Sequence, residues 1–134
     1  MKTLIVEDDF VSRTVLDEIL EPYGKRDVAV NGKEAVEAFG LALEKEEPYD
    51  LVCLDIMIPE LTGQEALVEM RKIEEANNVP HRERAKVVMT TALGDFDNIK
   101  TAFKEQCEAY LVKPLNKKKV TEALANIGIV PEEQ

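Results

Sequence analysis

The feature that most constrains the fold is an alternation between two kinds of apolar pattern along the whole chain. Short apolar runs, typical of buried strands, are followed by segments whose apolar residues recur every three or four positions, typical of amphipathic helices. Five such strand–helix units are recognisable. We predict strands over 2–6, 26–30, 49–54, 86–90 and 109–112, and helices over 11–21, 31–47, 62–75, 96–105 and 116–126.

Alternating strands and helices with short connections indicate an α/β domain of the doubly wound type. Each right-handed crossover packs its helix against the sheet, so a five-stranded parallel sheet with helices on both faces is expected. The chain has 134 residues, which suits one domain with a single core. We expect that domain over residues 1–127 and a frayed tail over 128–134.

Composition narrows the class of protein further. No apolar stretch approaches the roughly 20 residues that span a bilayer, and no signal peptide is recognisable, so we expect a cytoplasmic protein without membrane insertion. The net charge of -10 disfavours direct binding to nucleic acid. Cys53 and Cys107 are expected to be reduced thiols rather than a disulfide.

Two of the apolar runs end in carboxylates. The first strand is followed by Glu7, Asp8 and Asp9, and the third by Asp55. The carboxyl ends of parallel strands meet at one edge of a sheet, and ligands bind there. Carboxylates so close together repel unless a cation lies between them, so the pattern predicts a divalent-metal site.

Polar groups of another kind follow the last two strands. The fourth strand ends in Thr90 and Thr91, followed by Ala92, and the fifth is followed by Lys113 and Pro114. A hydroxyl and an ammonium thereby join the carboxylates at the same edge. Together with a metal they could hold a phosphoryl group on Asp55, because cations and hydrogen-bond donors neutralise its oxygens.

With these motifs in order, the chain resembles the receiver domain of two-component response regulators over nearly its whole length. It is most similar in kind to stand-alone regulators of the chemotaxis type. The resemblance implies a flavodoxin-like receiver fold with five helices and strand order 2-1-3-4-5. The motifs that carry it are Val6-Glu7-Asp8-Asp9, Leu54-Asp55-Ile56-Met57-Ile58-Pro59 with Gly63, Thr91-Ala92, Tyr110 and Lys113-Pro114.

The resemblance implies a metal-dependent reaction at Asp55. Its carboxylate would be the phosphoacceptor, attacking a phosphohistidine or a small phosphodonor. Mg²⁺ would be held by Glu7, Asp8 and Asp55 and by the backbone carbonyl of Met57. Asp9 is then expected to cap the first helix, with Asp8 and Asp9 as the alternative metal pair.

The remaining motif residues would bind the phosphoryl group and transmit its presence. Thr91, Ala92 and Lys113 would contact the phosphoryl group, with Thr91 and Lys113 assisting the reaction. Thr91 and Tyr110 would form a switch in which Tyr110 turns inward on activation. Pro114 leaves open whether the peptide bond before it is cis.

The resemblance also implies the partners. A sensor histidine kinase or a histidine phosphotransfer protein would donate the phosphoryl group, and an unidentified downstream protein would read it. The alternative is a relay, in which the phosphoryl group passes onward to a histidine phosphotransfer protein. Whether the chain forms homodimers is left open by the resemblance. The chain would catalyse only its own phosphorylation and dephosphorylation.

Two rivals from other classes are disfavoured by particular residues. A small aspartate-dependent phosphatase needs a second acid two residues after the nucleophile, where this chain has Met57. An inert receiver-like scaffold would lack part of the expected site, and no part is missing. We interpret Lys117, Lys118 and Lys119 as a solvated face, with a docking role as the alternative, because positive charge at a helix start opposes the helix dipole and is not expected for helix stability. The segment 77–85 is interpreted as a polar loop.

Overall fold

Five parallel strands form one sheet in the computed structural model, which describes residues 1–92 and 107–132. The strand order is 2-1-3-4-5, so the predicted flavodoxin-like topology is confirmed. Each strand begins and ends within two residues of its predicted bounds. The strands are β1 (Lys2–Val6), β2 (Lys25–Ala29), β3 (Leu51–Asp55), β4 (Lys86–Thr91) and β5 (Ala109–Val112).

The described residues contain four α-helices: α1 (Phe10–Leu20), α2 (Gly32–Glu44), α3 (Gly63–Ala76) and α4 (Lys117–Asn126). The remaining predicted helix, over 96–105, lies outside the described residues. Each described helix begins after a capping side chain that accepts a hydrogen bond from a backbone N–H three positions on. These caps are Asp9, Asn31, Thr62 and Asn116.

The sheet buries apolar side chains on both faces. On one face, Val52 and Leu54 of β3 belong to a cluster that includes residues of α2 and α3. On the other, Leu51 and Cys53 belong to a cluster with residues of α1 and α4. Alternate side chains of β3 therefore pack into two different clusters, one on each face of the sheet. This burial on both faces explains why the sequence of the strand is a continuous apolar run. Cys53 and Cys107 are buried free thiols, as predicted.

The segment after α4 corrects the expectation of a frayed tail. Gly128 has a φ of 87°, and the N–H of Ile129 donates to the carbonyl of Leu124. This glycine-ended turn is a common helix stop, and it returns the next apolar residue to the core. Ile129 is 8% exposed. The N–H of Glu132 donates to Pro22, and the Glu132 carboxylate pairs with the N-terminal amine of Met1, so the segment 128–132 is held against the domain at Ile129 and Glu132.

The segment 77–85 before β4, predicted as a polar loop, contains some regular structure. It contains one 3₁₀ turn, His81–Glu83, and the Arg84 side chain donates to the carbonyl of Val79 at 3.0 Å.

Among the parts of the chain that the structure describes, no helix has the length and apolar character needed to cross a membrane.

Candidate functional site

The acidic residues after β1 and at the end of β3 lie together at the carboxyl edge of the sheet. One carboxylate oxygen from each of Glu7, Asp8 and Asp55 lies within 4.8 Å of the other two. Glu7 is completely buried, Asp55 is 4% exposed and Asp8 is exposed. The three carboxylates therefore form an acidic pocket that is closed on the inside and open to solvent on the outside.

Lys113, which follows β5, reaches into this acidic pocket. Its Nζ lies 2.6 Å from Oε1 of Glu7 and 3.0 Å from Oδ2 of Asp55. Burial opposes the charge of Lys113, but its contacts with the two carboxylates outweigh burial and raise its pKa. The ammonium is therefore held in its charged form. The peptide bond between Lys113 and Pro114 is cis, the alternative that the sequence left open.

Glu7 is the least satisfied group of the pocket. Its Oε2 accepts a hydrogen bond from the backbone N–H of Asp9 at 3.1 Å. Its Oε1 has no well-directed hydrogen-bond donor among residues 1–92 and 107–132, although the Lys113 ammonium lies beside it. Burial raises the pKa of Glu7; Lys113 lowers it, and the nearby Asp55 carboxylate raises it. One ammonium thus serves two carboxylates, and negative charge remains.

Asp9 belongs to the helix rather than to the pocket. Its carboxylate accepts a hydrogen bond from the N–H of Ser12 at 2.9 Å, which confirms the predicted cap of α1. That bond holds the pKa of Asp9 below its usual value. Asp9 being engaged at the helix start, Glu7 and Asp8 are the acidic pair that gathers around Asp55.

Asp55 is fixed by its own loop. Its Oδ1 accepts a hydrogen bond from the N–H of Met57 at 3.1 Å, and Met57 itself is 64% exposed. Two glycines confine this loop. A Cβ on Gly63 would clash with the backbone of Asp55 and Ile56, and one on Gly32 would clash with Leu61. Close approach of backbone to backbone therefore requires glycine at both positions.

The two threonines at the end of β4 are both buried. Thr90 pairs with Asp55 across the sheet, and Thr91 pairs with Val112 of β5. The Thr91 carbonyl accepts a hydrogen bond from the N–H of Lys113 at 2.7 Å, and its hydroxyl donates to the carbonyl of Ala92 at 3.3 Å. β4 therefore supports the backbone of Lys113 directly, and Ala92 lies exposed at the end of the strand.

Tyr110 lies on β5, away from the carboxylates. Its ring is partly buried and packs against the core cluster that contains Val52 and Leu54. Burial raises the pKa of its hydroxyl, and contact with Cys107 raises it further. In this structure the tyrosine is held by apolar packing and by its contact with a buried thiol.

Two basic side chains at the site escaped the sequence interpretation. Arg13 of α1 donates to the carbonyls of Glu7 and Asp8, at 3.2 and 3.4 Å. Lys119 of α4 donates to the carbonyls of Val112 and Pro114, at 3.2 and 3.0 Å. Lys119 is exposed, as the interpretation of a solvated face requires, but its ammonium also bonds the main chain on either side of Lys113. The sequence feature that could have pointed to a role for Lys119 is its positive charge in the first turn of a helix, where the helix dipole disfavours a cation.

The donor set suits a hard divalent cation. Within the part of the chain that the structure describes, three carboxylates converge, one of them carries a buried oxygen without a well-directed donor, and one ammonium offsets them. Oxygen ligands on an open-sided pocket match the preference of Mg²⁺, which keeps several of its waters. The residues present therefore fit the metal that the sequence predicts.

Comparison with known proteins places the chain in a family. A family model described as the response regulator receiver domain matches residues 3–125. The chain belongs to the response regulator receiver family. Receiver domains of this family act in two-component signalling, and the curated relatives include several chemotaxis proteins named CheY.

Individual relatives agree with this placement of the receiver domain. The chemotaxis protein CheY of Halobacterium salinarum is 33% identical over 94% of this chain and 95% of its own length. CheY of Thermotoga maritima is 32% identical over 95% of this chain and 97% of its own. A receiver domain structure from Clostridium thermocellum, 28% identical, covers 93% of this chain and 91% of its own, with a TM-score of 0.71.

Proposed function

We propose that this receiver domain accepts a phosphoryl group on Asp55 in a reaction that depends on Mg²⁺. The observation that carries the proposal is the setting of Asp55. Its side chain is 6% exposed, lies 3.0 Å from the Lys113 ammonium and shares a pocket with Glu7 and Asp8. A carboxylate held between a cation and an acidic pair is suited to act as a metal-assisted nucleophile.

The residues proposed to hold Mg²⁺ are the carboxylates of Glu7, Asp8 and Asp55 and the backbone carbonyl of Met57. When bound, the cation supplies positive charge to oxygens of the transferred group. The chain's own part is to hold the carboxylates close together before the cation arrives. The backbone N–H groups of Asp9 and Met57 and the Lys113 ammonium do this.

The transfer itself is a displacement at phosphorus. An oxygen of the Asp55 carboxylate forms the new P–O bond, and the bond from phosphorus to the donor's imidazole nitrogen, or to the acetate oxygen of acetyl phosphate, breaks. The leaving group takes the bonding electrons, and Asp55 becomes an acyl phosphate. The Lys113 ammonium is placed to stabilise the added negative charge, as are the Thr91 hydroxyl and the Ala92 backbone once they turn toward it.

Signalling then requires a change of binding face. We propose that Thr91 moves toward the phosphoryl group and that Tyr110 turns further inward, so the surface around β5 and α4 changes. The partly buried ring of Tyr110 and the hydrogen bond from the Thr91 hydroxyl to the adjacent Ala92 carbonyl support this switch. A sensor histidine kinase or histidine phosphotransfer protein would be the donor, and a downstream protein or a second copy of the chain would read the changed face.

Labelling with radioactive acetyl phosphate tests the proposal. We expect the wild-type chain to be labelled with Mg²⁺ but not with EDTA, and the label to be removed by hydroxylamine, which cleaves acyl phosphates. Asp55→Asn should abolish labelling. Asp17→Asn is the matched control, because Asp17 is 45% exposed and pairs with Arg26 on the surface. Label that persists in Asp55→Asn would contradict the proposed acceptor.

A further inference from the structure

Two helices send a basic side chain back to the loop that precedes them. Arg13 lies in the second turn of α1, and one of its nitrogens, Nη1, contacts the carbonyls of Glu7 and Asp8. The guanidinium also lies over the ring of Phe10, with Cζ 5.5 Å from the ring centroid. Arg13 is thus fixed on one side by an aromatic ring and on the other by the two peptides that carry the acidic pair.

Lys119 repeats this arrangement on the other side of the pocket. It lies in the first turn of α4, and its Nζ contacts the carbonyls of Val112 and Pro114, which flank Lys113 in the chain. The neighbouring Lys118 is exposed on the same turn. Each half of the site, acidic and basic, therefore has its main chain bonded by a cation from the following helix.

We propose that Arg13 and Lys119 are positioning residues for the proposed phosphotransfer, on which this inference rests. Neither side chain touches Asp55. Arg13 fixes the peptide planes that follow Glu7 and Asp8. Lys119 fixes the peptide plane that precedes Lys113 and the one that follows Pro114. Fixing a peptide plane fixes the direction of the adjoining side chain, and small errors in direction weaken a metal site or a near-attack geometry strongly.

For Arg13, positioning and simple charge have opposite consequences. A guanidinium near a cation site repels the cation, so loss of its charge alone would tighten Mg²⁺ binding. Loss of positioning would weaken it, because Glu7 and Asp8 would sample directions that do not converge. The sign of the change therefore separates the two roles.

The first experiment measures the Kd for Mg²⁺ by isothermal titration calorimetry on the full chain. We expect R13Q to raise the Kd about 3- to 10-fold, the equivalent of one or two lost hydrogen bonds. R13K keeps the charge on a shorter side chain and should raise the Kd less; it decides the matter if R13Q does not fold. R82Q is the matched control, because Arg82 is 84% exposed, and it should bind as wild type. A Kd at or below the wild-type value in the folded Arg13 variants would overturn the role of Arg13.

The second experiment measures the rate of Asp55 labelling by acetyl phosphate at saturating Mg²⁺. We expect K119M to be slowed about 2- to 5-fold with an unchanged Kd for Mg²⁺, because only the Lys113 half of the site is loosened. K119R should restore the rate to within about twofold, since its guanidinium can donate to the same carbonyls. K118M removes the same charge from the same turn and should react as wild type.

The outcomes distinguish this inference from the function on which it rests. A wild-type rate in K119M, or equal slowing in K118M, would overturn the role of Lys119 while labelling of the wild type still upheld Asp55 as acceptor. A wild-type chain that neither binds Mg²⁺ nor takes up label would overturn both proposals.

Discussion

Two glutamates are completely or nearly buried among residues 1–92 and 107–132; they lie at opposite ends of the sheet and are held differently. Glu74, at the end of α3, is 2% exposed. One of its oxygens accepts from Arg71 at 2.8 Å, and the other accepts from the N–H of Ala85 at 2.8 Å. Glu7, at the carboxyl edge, has one backbone donor for Oε2 and an ammonium beside Oε1 that is shared with Asp55.

We expect this difference to separate a structural charge, that of Glu74, from one proposed to bind a metal, that of Glu7. A buried carboxylate that keeps a donor on each oxygen holds two elements together and has little capacity left for a ligand. A buried carboxylate that shares its only cation with a second carboxylate is still repelled by that neighbour. Such a site is stabilised by any further cation that enters, so the incomplete pairing of Glu7 is what makes the edge receptive.

The largest effect should come from breaking the satisfied pair. Glu74→Ala leaves the Ala85 N–H without its acceptor and removes an ion-pair partner of Arg71, which should lower the free energy of unfolding by about 3–5 kcal/mol. Scanning calorimetry should show the midpoint falling by about 10 °C. Glu74→Gln keeps an acceptor and should lose less. A midpoint within about 2 °C of wild type would show that Glu74 is not the structural partner described.

The opposite sign is expected at the unsatisfied glutamate. Without metal, Glu7→Gln should raise the free energy of unfolding by about 1 kcal/mol, because a buried charge and its repulsion with Asp55 are removed. The same change should weaken Mg²⁺ binding at least about tenfold, since one ligand loses its charge. Urea titration in EDTA and calorimetric titration with Mg²⁺ measure the two effects. Destabilisation in EDTA would contradict the account of Glu7.

The stability gained by Glu7→Gln should depend on pH, which tests the contrast between Glu7 and Glu74 further. Burial raises the pKa of Glu7 above 4.5. Below pH 4.5 the group is neutral in both the folded and unfolded states, so wild type and Glu7→Gln should differ little. As the pH rises toward the folded pKa, the unfolded state releases its proton first, and the wild type loses stability relative to the variant. A gain that is constant from acidic to neutral pH would rule out this linkage.

The smallest effect should come from an exposed pair on the same helix as Glu74. Glu69 and Lys72 lie 3.6 Å apart with side chains that are 47% and 67% exposed. Exposed pairs contribute little, so Glu69→Ala should change the free energy of unfolding by less than about 0.5 kcal/mol. Urea titration beside Glu74→Ala measures it. If Glu69→Ala lowered the free energy of unfolding as much as Glu74→Ala does, burial would not explain the difference between the two ion pairs.

The acidic cluster was predictable because it depends only on strand ends. Once β1 and β3 are recognised as parallel neighbours, Glu7, Asp8 and Asp55 must meet, whatever their side-chain details. Asp9 and Thr62 were recognisable as caps because capping depends on residues within one turn. Local patterns and topology therefore account for the fold and the acidic pocket.

The features that escaped prediction depend on the path of the main chain. Arg13 and Lys119 reach carbonyls whose positions follow from loop geometry, which residue type and spacing do not specify. Ile129 was assigned to a frayed tail because a lone apolar residue near the end carries little periodicity. Its signal was the preceding Gly128, which ends α4 and turns the chain back toward the core.

The glycine contacts around the Asp55 loop have a consequence for engineering. Gly63 and Gly32 confine the loop by close contact with its backbone. The side chains of Met57 and Glu60, which belong to the loop, are exposed to solvent. The shape of the turn is therefore largely independent of the side chains displayed on its outer surface. A designer could therefore change those displayed side chains while the Asp55 carboxylate keeps its place.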